Sequence, residues 1–135
     1  EKNYNSSLPT TTYSLLTASM DCVFCKIINK EIPSKLVFEN EQLVAFNDIK
    51  PIAPVHILVV PKLHIESIAH MAASHREMIA DVVFGAKEIA LEKGLKGYKL
   101  VFNVGREAGQ SVDHLHLHLL SDMKDPSSRN LDKLG

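Results

Sequence analysis

The segment QSVDHLHLHLL, residues 110–120, alternates histidine with leucine at a period of two. Successive side chains of a β-strand point to opposite faces of the sheet. A strand here would place His114, His116 and His118 on one face, about 7 Å apart, and the interleaved leucines on the other. This pattern constrains the fold, because the leucines need a core to pack into and three buried imidazoles would each need polar partners.

Other segments predict an α+β fold around this strand. Ser74 and Glu77 form a capping-box pattern ahead of apolar residues at helical spacing, and Gly94 is placed to close that long helix. The apolar VFCKII segment predicts a short N-terminal helix. Four further strands are expected from apolar and β-branched runs bounded by turn residues: Lys35–Asn40, Gln42–Asp48, His56–Pro61 and Tyr98–Val104. Their short links favour an antiparallel sheet of about five strands.

Length and composition exclude several classes of protein. A chain of 135 residues with 45% hydrophobic and 23% charged residues predicts one globular domain. The net charge of -1 and the absence of tryptophan argue against nucleic acid or anionic lipid as a partner. No apolar run approaches about 18 residues, so no membrane span is expected. We interpret residues 1–19 as a flexible leader, native or added, and residues 20–135 as the domain.

The three alternating histidines admit several interpretations. Imidazole serves as a nucleophile, a hydrogen-bond donor or a metal ligand near neutral pH. Ordinary polar residues on a half-exposed strand would explain one histidine better than three in strict alternation. Metal binding by all three would leave the neighbouring AGQSV segment without a role.

The segment GQSVDHLHLHLL resembles the H-x-H-x-H-x-x signature of the histidine triad (HIT) family, in which the x positions are hydrophobic. The likeness runs from Cys22 to about Leu120. The segments CVFCKIINKEIPSK, LVAFNDIKPIAPVHILVVPKLHI and LVFNVG match its nucleotide-binding Hint branch. The resemblance implies a HIT-like fold whose sheets join in a homodimer, with the long helix and the Tyr98–Val104 strand at the interface. Gly85 would allow a close helix crossing there.

The resemblance also implies an activity, the hydrolysis of purine nucleoside 5′-phosphoramidates such as AMP–amine or AMP–lysine conjugates. His116, the middle histidine, corresponds to the nucleophile that forms a nucleotidyl-histidine intermediate. A neutral imidazole can attack phosphorus if its other nitrogen keeps a proton held by an acceptor. In the family, that acceptor is a backbone carbonyl near the first histidine. The other catalytic positions carried over are His118 and His56 at the phosphate oxygens, Asn103 near the ribose and phosphate, and Ser111 near the leaving group.

The nucleotide-binding residues follow from the same resemblance. Asp48 corresponds to the carboxylate that accepts hydrogen bonds from the ribose hydroxyls, although a turn role before Pro51 explains it equally. Gly109 and Gln110 would let the backbone approach the phosphate closely. The base would lie between apolar side chains for which core packing is the alternative explanation: Phe24, Ile27, Phe46, Ile49 and Leu58.

Cys22 and Cys25 have the spacing of zinc ligands, but two cysteines do not complete a tetrahedral site. His64 and His114 would supply the remaining ligands, and these positions bind zinc in branches of the family that retain both cysteines. Such a zinc would be structural, and catalysis would need no cofactor. Free buried thiols or a redox pair are the alternatives. With no further cysteines for a disulfide framework, a reducing compartment and hence a cytoplasmic location are expected.

The chain departs from the family pattern after Leu120. Ser121 and Asp122 replace two glycines common in the family, and the tail from about residue 121 is divergent. Because the family tail affects the choice of leaving group, this departure leaves the acceptor preference open. Three other functions are also open. These are a dinucleoside polyphosphate hydrolase of the same superfamily, a nucleotide-binding adaptor with incidental catalysis, and a zinc-storage or regulatory module.

Overall fold

A computed structural model of the chain describes residues 21–122. The predicted leader, and the divergent tail beyond Asp122, lie outside the described residues. Within residues 21–122 the structure has three short 3₁₀ turns, two α-helices and five strands. The helices and strands are α1 (Val23–Ile28), β1 (Leu36–Glu39), β2 (Leu43–Asn47), β3 (Val55–Pro61), α2 (Arg76–Glu92), β4 (Lys99–Val101) and β5 (Leu117–Ser121). No helix in this part of the chain is both long and apolar enough to cross a membrane.

The five strands form one antiparallel sheet in the order β1-β2-β3-β5-β4, which confirms the predicted fold class. The strand that carries the leucine–histidine pattern lies beside the central strand β3. Leu58 pairs with His118, and His56 pairs with Leu120. This register brings two histidines that are 62 residues apart in the sequence onto one face.

Both faces of the sheet are buried, because a helix covers each one. Along β2 and β3 the side chains alternate between two apolar clusters. One cluster packs under α2 and includes Leu43, Ile57, Leu117 and Leu119. The other packs under α1 and includes Phe46 and Leu58. His56 and His118 belong to the α1 face, so the leucines of the alternating segment fill the core, as predicted.

Helix α2 confirms the predicted long helix but begins differently. Ser74 and Glu77 do not form a capping box, because a 3₁₀ turn at Ala73–His75 precedes the helix. The His75 ring instead accepts a hydrogen bond from the Ala72 N–H. At the other end, Gly94 has a φ of 68°, and the N–H groups of Gly94 and Leu95 donate to Leu91 and Ala90. This is the Schellman arrangement expected for a closing glycine.

Gly85 lies where α2 crosses the sheet of its own chain. A Cβ at this position would lie 2.6 Å from Leu43 Cδ1. The missing side chain therefore permits close helix–sheet packing, which offsets the roughly 1 kcal/mol propensity cost of a helical glycine. The interpretation of Gly85 as a helix crossing in a homodimer is wrong for this reason.

Two predicted strands are shorter than expected. The Tyr98–Val104 segment forms only β4, Lys99–Val101, at the edge of the sheet. The alternating segment enters the sheet only at Leu117. His114 and His116 therefore precede the strand rather than lie along it.

Candidate functional site

The His116 ring is fixed by one backbone group. Its Nδ1 lies 2.7 Å from the carbonyl oxygen of His114. Since a carbonyl only accepts, Nδ1 carries the proton, and Nε2 keeps its lone pair. The carbonyl acceptor that the family resemblance implied is thus present in this chain. The ring is buried, and the Phe24 ring of α1 packs edge-on against it with centroids 5.1 Å apart.

Burial also sets the charge of His116. Removal from water lowers the pKa of His116 below its ordinary value of 6.5, while the hydrogen bond to the His114 carbonyl opposes this shift. The neutral ring is the form that can act as a nucleophile, because protonation would consume the lone pair on Nε2.

An open cleft of about 300 Å³ lies beside this ring at the end of the sheet. His118, whose ring centroid is 5.0 Å from that of His116, lines the cleft. The lining brings together five of the predicted catalytic and ribose-binding side chains: Asp48, His56, Asn103, Ser111 and His118.

His56 and His118 form a coupled pair. His56 Nε2 lies 2.9 Å from His118 Nδ1 and 3.3 Å from Asp48 Oδ2. Burial, followed by the neighbouring His116 and His56, lowers the pKa of His118 to about 4. Burial likewise lowers the pKa of His56, with Asp48 acting in the opposite direction. The cleft therefore holds neutral imidazoles, which contribute N–H groups and lone pairs rather than positive charge.

The GREAGQS loop holds Asn103 and Ser111 at the cleft. Gly109 has a φ of 92°, which favours glycine. Next to it, the Asn103 side-chain amide donates to the Ala108 carbonyl at 2.9 Å. Ser111 is exposed. Gln110 has a structural role, because its buried side chain holds three backbone groups.

Arg106 supports this loop and was missed by the sequence analysis. Its guanidinium donates to the Ser111 carbonyl at 3.2 Å and to the Asp113 carboxylate at 2.9 Å. The only sequence signal is an arginine and an aspartate on either side of the loop. Such a pair is too common on protein surfaces to identify a supporting contact.

Four of the five predicted base-binding residues come together in the apolar cluster under α1: Phe24, Ile27, Phe46 and Leu58. Their burial there is what the alternative explanation, core packing, requires. Ile49, next to Asp48, is 92% exposed and is not a member of that cluster.

A second constellation joins α1 to the histidine segment. One ligand atom from each of Cys22, Cys25, His64 and His114 lies within 4.8 Å of all the others. The distances from sulfur to Nδ1 are 3.3 Å for Cys22–His114 and 3.2 Å for Cys25–His64. The two Nδ1 atoms are 3.0 Å apart. Tetrahedral zinc places its sulfur and nitrogen ligands about 3.3–3.8 Å apart. The four donor atoms lie up to a few tenths of an ångström closer together than that, and two sulfurs with two imidazole nitrogens are a donor set that zinc takes.

The protonation of this cluster also suits a metal. His114 Nε2 donates to the Pro61 carbonyl at 2.8 Å, which leaves Nδ1 bare and directed at the sulfurs. Metal-binding histidines usually make this kind of outer contact. The hydrogen bond from Cys25 lowers the pKa of the Cys22 thiol to about 2, with His114 and His64 acting in the same direction against burial. Thiolate and bare imidazole are the forms that bind zinc.

The three histidines of the alternating segment therefore divide between two sites. His114 is fully buried and its ring faces His64, with centroids 4.7 Å apart. His118 lines the cleft, and the His116 ring lies next to that of His118. The expectation of three histidines in one evenly spaced row is wrong, because the backbone joins the sheet only after His116.

Comparison with known proteins agrees with this geometry. A family model described as "Scavenger mRNA decapping enzyme C-term binding" matches residues 21–132. The purine nucleoside phosphoramidase of Escherichia coli K12 is 39% identical over 102 residues, which cover 74% of this chain and 86% of that protein.

Solved structures give the same result. A HIT family hydrolase from Legionella pneumophila Philadelphia 1 is 45% identical, with a TM-score of 0.73, and the match covers 80% of this chain and all of that one. A zinc-bound histidine triad family protein from Mycobacterium smegmatis is 29% identical, with a TM-score of 0.70, over 80% of this chain and 79% of that one. Together these matches show that the chain belongs to the histidine triad (HIT) family of hydrolases.

Proposed function

We propose that the chain is a nucleotide-binding HIT protein of the Hint branch that hydrolyses purine nucleoside 5′-phosphoramidates, such as AMP–amine or AMP–lysine conjugates. The observation that carries the proposal is the His116 ring, whose Nδ1 is held by the His114 carbonyl at 2.7 Å beside the cleft. A neutral imidazole with its lone pair on Nε2 is a competent nucleophile toward phosphorus. The E. coli relative named as a purine nucleoside phosphoramidase supports the choice of substrate.

In the first step, His116 Nε2 attacks the α-phosphorus and the P–N bond to the amine breaks. The amine leaves after taking up a proton from solvent at the open cleft, which the attacking water returns in the second step, and the Ser111 hydroxyl at the rim of the cleft hydrogen-bonds the departing nitrogen. Transfer of a phosphoryl-type group depends mainly on positioning and on charge stabilisation. His118 and Asn103 would supply N–H donors to the phosphate oxygens, and His56 would position His118 through the hydrogen bond between their rings.

In the second step, water attacks the phosphorus and the His116–phosphorus bond breaks. The products are the nucleoside monophosphate and a neutral His116, so the site returns to its starting state. The His114 carbonyl stabilises the ring throughout, because Nδ1 must keep its proton while Nε2 is bonded to phosphorus. No metal takes part in either step.

The nucleotide would lie across the cleft with its ribose diol on Asp48. One carboxylate oxygen of Asp48 already accepts the Lys50 N–H at 2.8 Å, and the other faces His56. The exposed Ile49 beside Asp48 would offer apolar surface to the base. For the remaining base contacts we propose the apolar cluster under α1: Phe24, Ile27, Phe46 and Leu58. Gly109 and Gln110 would bring the backbone close to the phosphate.

We further propose a structural zinc held by Cys22, Cys25, His64 and His114. The zinc would tie α1 to the histidine segment and fix the path of the backbone at His114. The zinc-bound relative supports this assignment. Elemental analysis of protein purified without chelators should find zinc bound to the chain, and none after both cysteines are replaced by serine.

A homodimer and a cytoplasmic location complete the proposal. Phe84 and Leu91, one apolar side chain on each of two turns of α2, are 60% and 76% exposed. Leu100 of the edge strand β4 is also exposed. A second copy of the chain would cover this surface. Sedimentation at micromolar concentration should give the mass of two chains, and Phe84→Glu should give that of one.

The decisive experiment is a rapidly quenched reaction with an AMP–amine conjugate, followed by peptide mass spectrometry. The wild type should carry the nucleotidyl group on the peptide that contains His116. His116→Ala should lose the adduct and the activity, whereas the surface control His70→Ala should keep both. Hydrolysis at the wild-type rate by His116→Ala would refute the mechanism.

Two alternatives are separated by simple comparisons. If the chain is a dinucleoside polyphosphate hydrolase, a dinucleoside triphosphate will be cleaved with a higher kcat/KM than the AMP–amine conjugate. If it is an adaptor, His116→Ala will retain both nucleotide affinity and the cellular effect of the wild type. A zinc-storage module would instead depend on Cys22 and Cys25.

A further inference from the structure

The loop before β3 contacts the catalytic histidines through one backbone group. The N–H of Ile52 donates to His56 Nδ1 at 3.2 Å. A peptide N–H has no acceptor function, so Nδ1 of His56 must present a lone pair. A neutral His56 therefore carries its proton on Nε2, and burial favours the neutral form.

The proton on His56 Nε2 determines the state of the next ring. His118 Nδ1 is 2.9 Å away and Asp48 Oδ2 is 3.3 Å away, so His118 is the closer acceptor. Nδ1 of His118 accepts this hydrogen bond only if it is bare. The proton of a neutral His118 is then on Nε2, the ring nitrogen that His56 does not engage, and His118 lines the cleft.

We propose that the Ile52 peptide N–H is a positioning group that acts through His56 and fixes His118 as the Nε2-protonated tautomer. His116 is fixed in the same way by a backbone carbonyl, which leaves its Nε2 bare. Two backbone groups of opposite polarity thus set two neighbouring rings to opposite states. His116 offers a lone pair to the reacting atom, and His118 offers an N–H donor.

The same contact argues against a metal at this cluster. Asp48, His56 and His118 have the composition of a metal site, with ligand atoms within 4.8 Å of one another. A metal on His56 Nε2 would move the ring proton to Nδ1, where it would face the Ile52 N–H. Two donors would then oppose each other. The Ile52 N–H therefore favours the hydrogen bonds from Ile52 to His56 and from His56 to His118 over a bound metal.

The catalytic consequence rests on the proposed function, whereas the tautomer assignment does not. An N–H on His118 Nε2 would stabilise negative charge on the phosphate oxygens. The other tautomer would present a lone pair there and repel them. Loss of one such donor typically costs about 10²–10³ in kcat. In a mixture of tautomers kcat should fall in proportion to the fraction of His118 that keeps its Nε2–H, about tenfold where that fraction is about one-tenth.

The first test needs no substitution. Two-bond ¹⁵N–¹H correlation spectra of the wild type, at about pH 8 where neutral imidazole dominates, distinguish protonated from bare ring nitrogens. We expect protonated Nε2 and bare Nδ1 for both His56 and His118, and the reverse for His116. A protonated Nδ1 on His56 or on His118 would overturn the proposal.

The second test removes the N–H itself. Ile52→Pro deletes the donor, and Ile52→Ala is the matched control that retains it while removing the same side chain. Ile52→Pro should give His118 signals of mixed tautomers and a fall in kcat, with KM changed much less. Ile52→Ala should keep the wild-type tautomers and a kcat within about twofold.

The outcomes separate the two claims. A folded Ile52→Pro with wild-type tautomers and kcat would refute the positioning role. If Ile52→Pro does not fold, the wild-type spectrum still decides the tautomers. If the tautomers are as expected and no variant cleaves an AMP–amine conjugate, the proposed function fails and the positioning role stands.

Discussion

Substitution of His118 should change how the stability of the protein depends on pH. The pKa of His118 is about 4 in the folded protein, against 6.5 in the unfolded chain, mainly because the ring is buried. The unfolded state therefore binds more protons between these values, and the free energy of unfolding falls as the pH falls through 6.5 toward 4. Above pH 6.5 the ring is neutral in both states and contributes no pH dependence.

The size of the effect follows from the two pKa values. Each pKa unit corresponds to about 1.36 kcal/mol, so the full difference is worth about 3.4 kcal/mol once His118 is protonated in both states. About 2 kcal/mol of this appears between about pH 8 and about pH 5. Partial exposure of the ring to solvent reduces the value, and we expect about 1–2 kcal/mol.

Urea unfolding of the wild type and of His118→Gln at both pH values measures this contribution. The loss of stability from pH 8 to pH 5 should be about 1–2 kcal/mol smaller in His118→Gln. Asn103→Ala is the matched control, because it removes a polar group from the same cleft but no titratable one, and it should keep the wild-type dependence. The reasoning is wrong if His118→Gln loses as much stability on acidification as the wild type.

Three further predictions concern the framework of the site. Gly94→Ala should lower the free energy of unfolding in urea by about 1 kcal/mol, because a side chain disfavours the positive φ. Gly97→Ala is the control, since a Cβ there also meets open space, and it should be nearly neutral. Equal losses in the two variants would count against this explanation. Gln110→Ala should cost about 2–4 kcal/mol, because buried backbone groups lose their partners; a cost below about 0.5 kcal/mol would contradict the role. Chelation should lower the Tm of the wild type, because the free energy of unfolding loses the contribution of bound zinc, about 2.7 kcal/mol if zinc is held at 100-fold its Kd. The Tm of Cys22→Ser should stay unchanged.

The antiparallel α+β fold class and the leucine core could be predicted from the sequence because they depend on local patterns. Leu117 and Leu119 alternate with polar residues, and alternation alone assigns them to the buried face. The capping box at Ser74 failed because the pattern does not reveal that a 3₁₀ turn occupies the residues before Arg76. The end of a helix is decided by how the preceding chain enters it, which no short motif encodes.

The site was harder to predict where backbone groups act. The sequence shows a histidine at position 56, but not that the Ile52 N–H faces its Nδ1. It shows His114, but not that the Pro61 carbonyl holds Nε2 and turns Nδ1 toward the cysteines. Every residue except proline has an N–H and every residue has a carbonyl, so composition carries no signal for these contacts. They depend on the path that the backbone takes in the folded chain.

His114 serves its neighbours in two chemically independent ways. Its imidazole joins the sulfur cluster, and its peptide oxygen holds the proton of His116. Any amino acid at position 114 would supply that oxygen. A substitution of His114 should therefore abolish binding of the proposed zinc and yet leave the Nδ1 proton of His116 in place, provided that the backbone path is unchanged. Loss of the two cysteines would therefore not by itself remove the proposed hydrolysis, so metal binding and turnover can change independently in evolution.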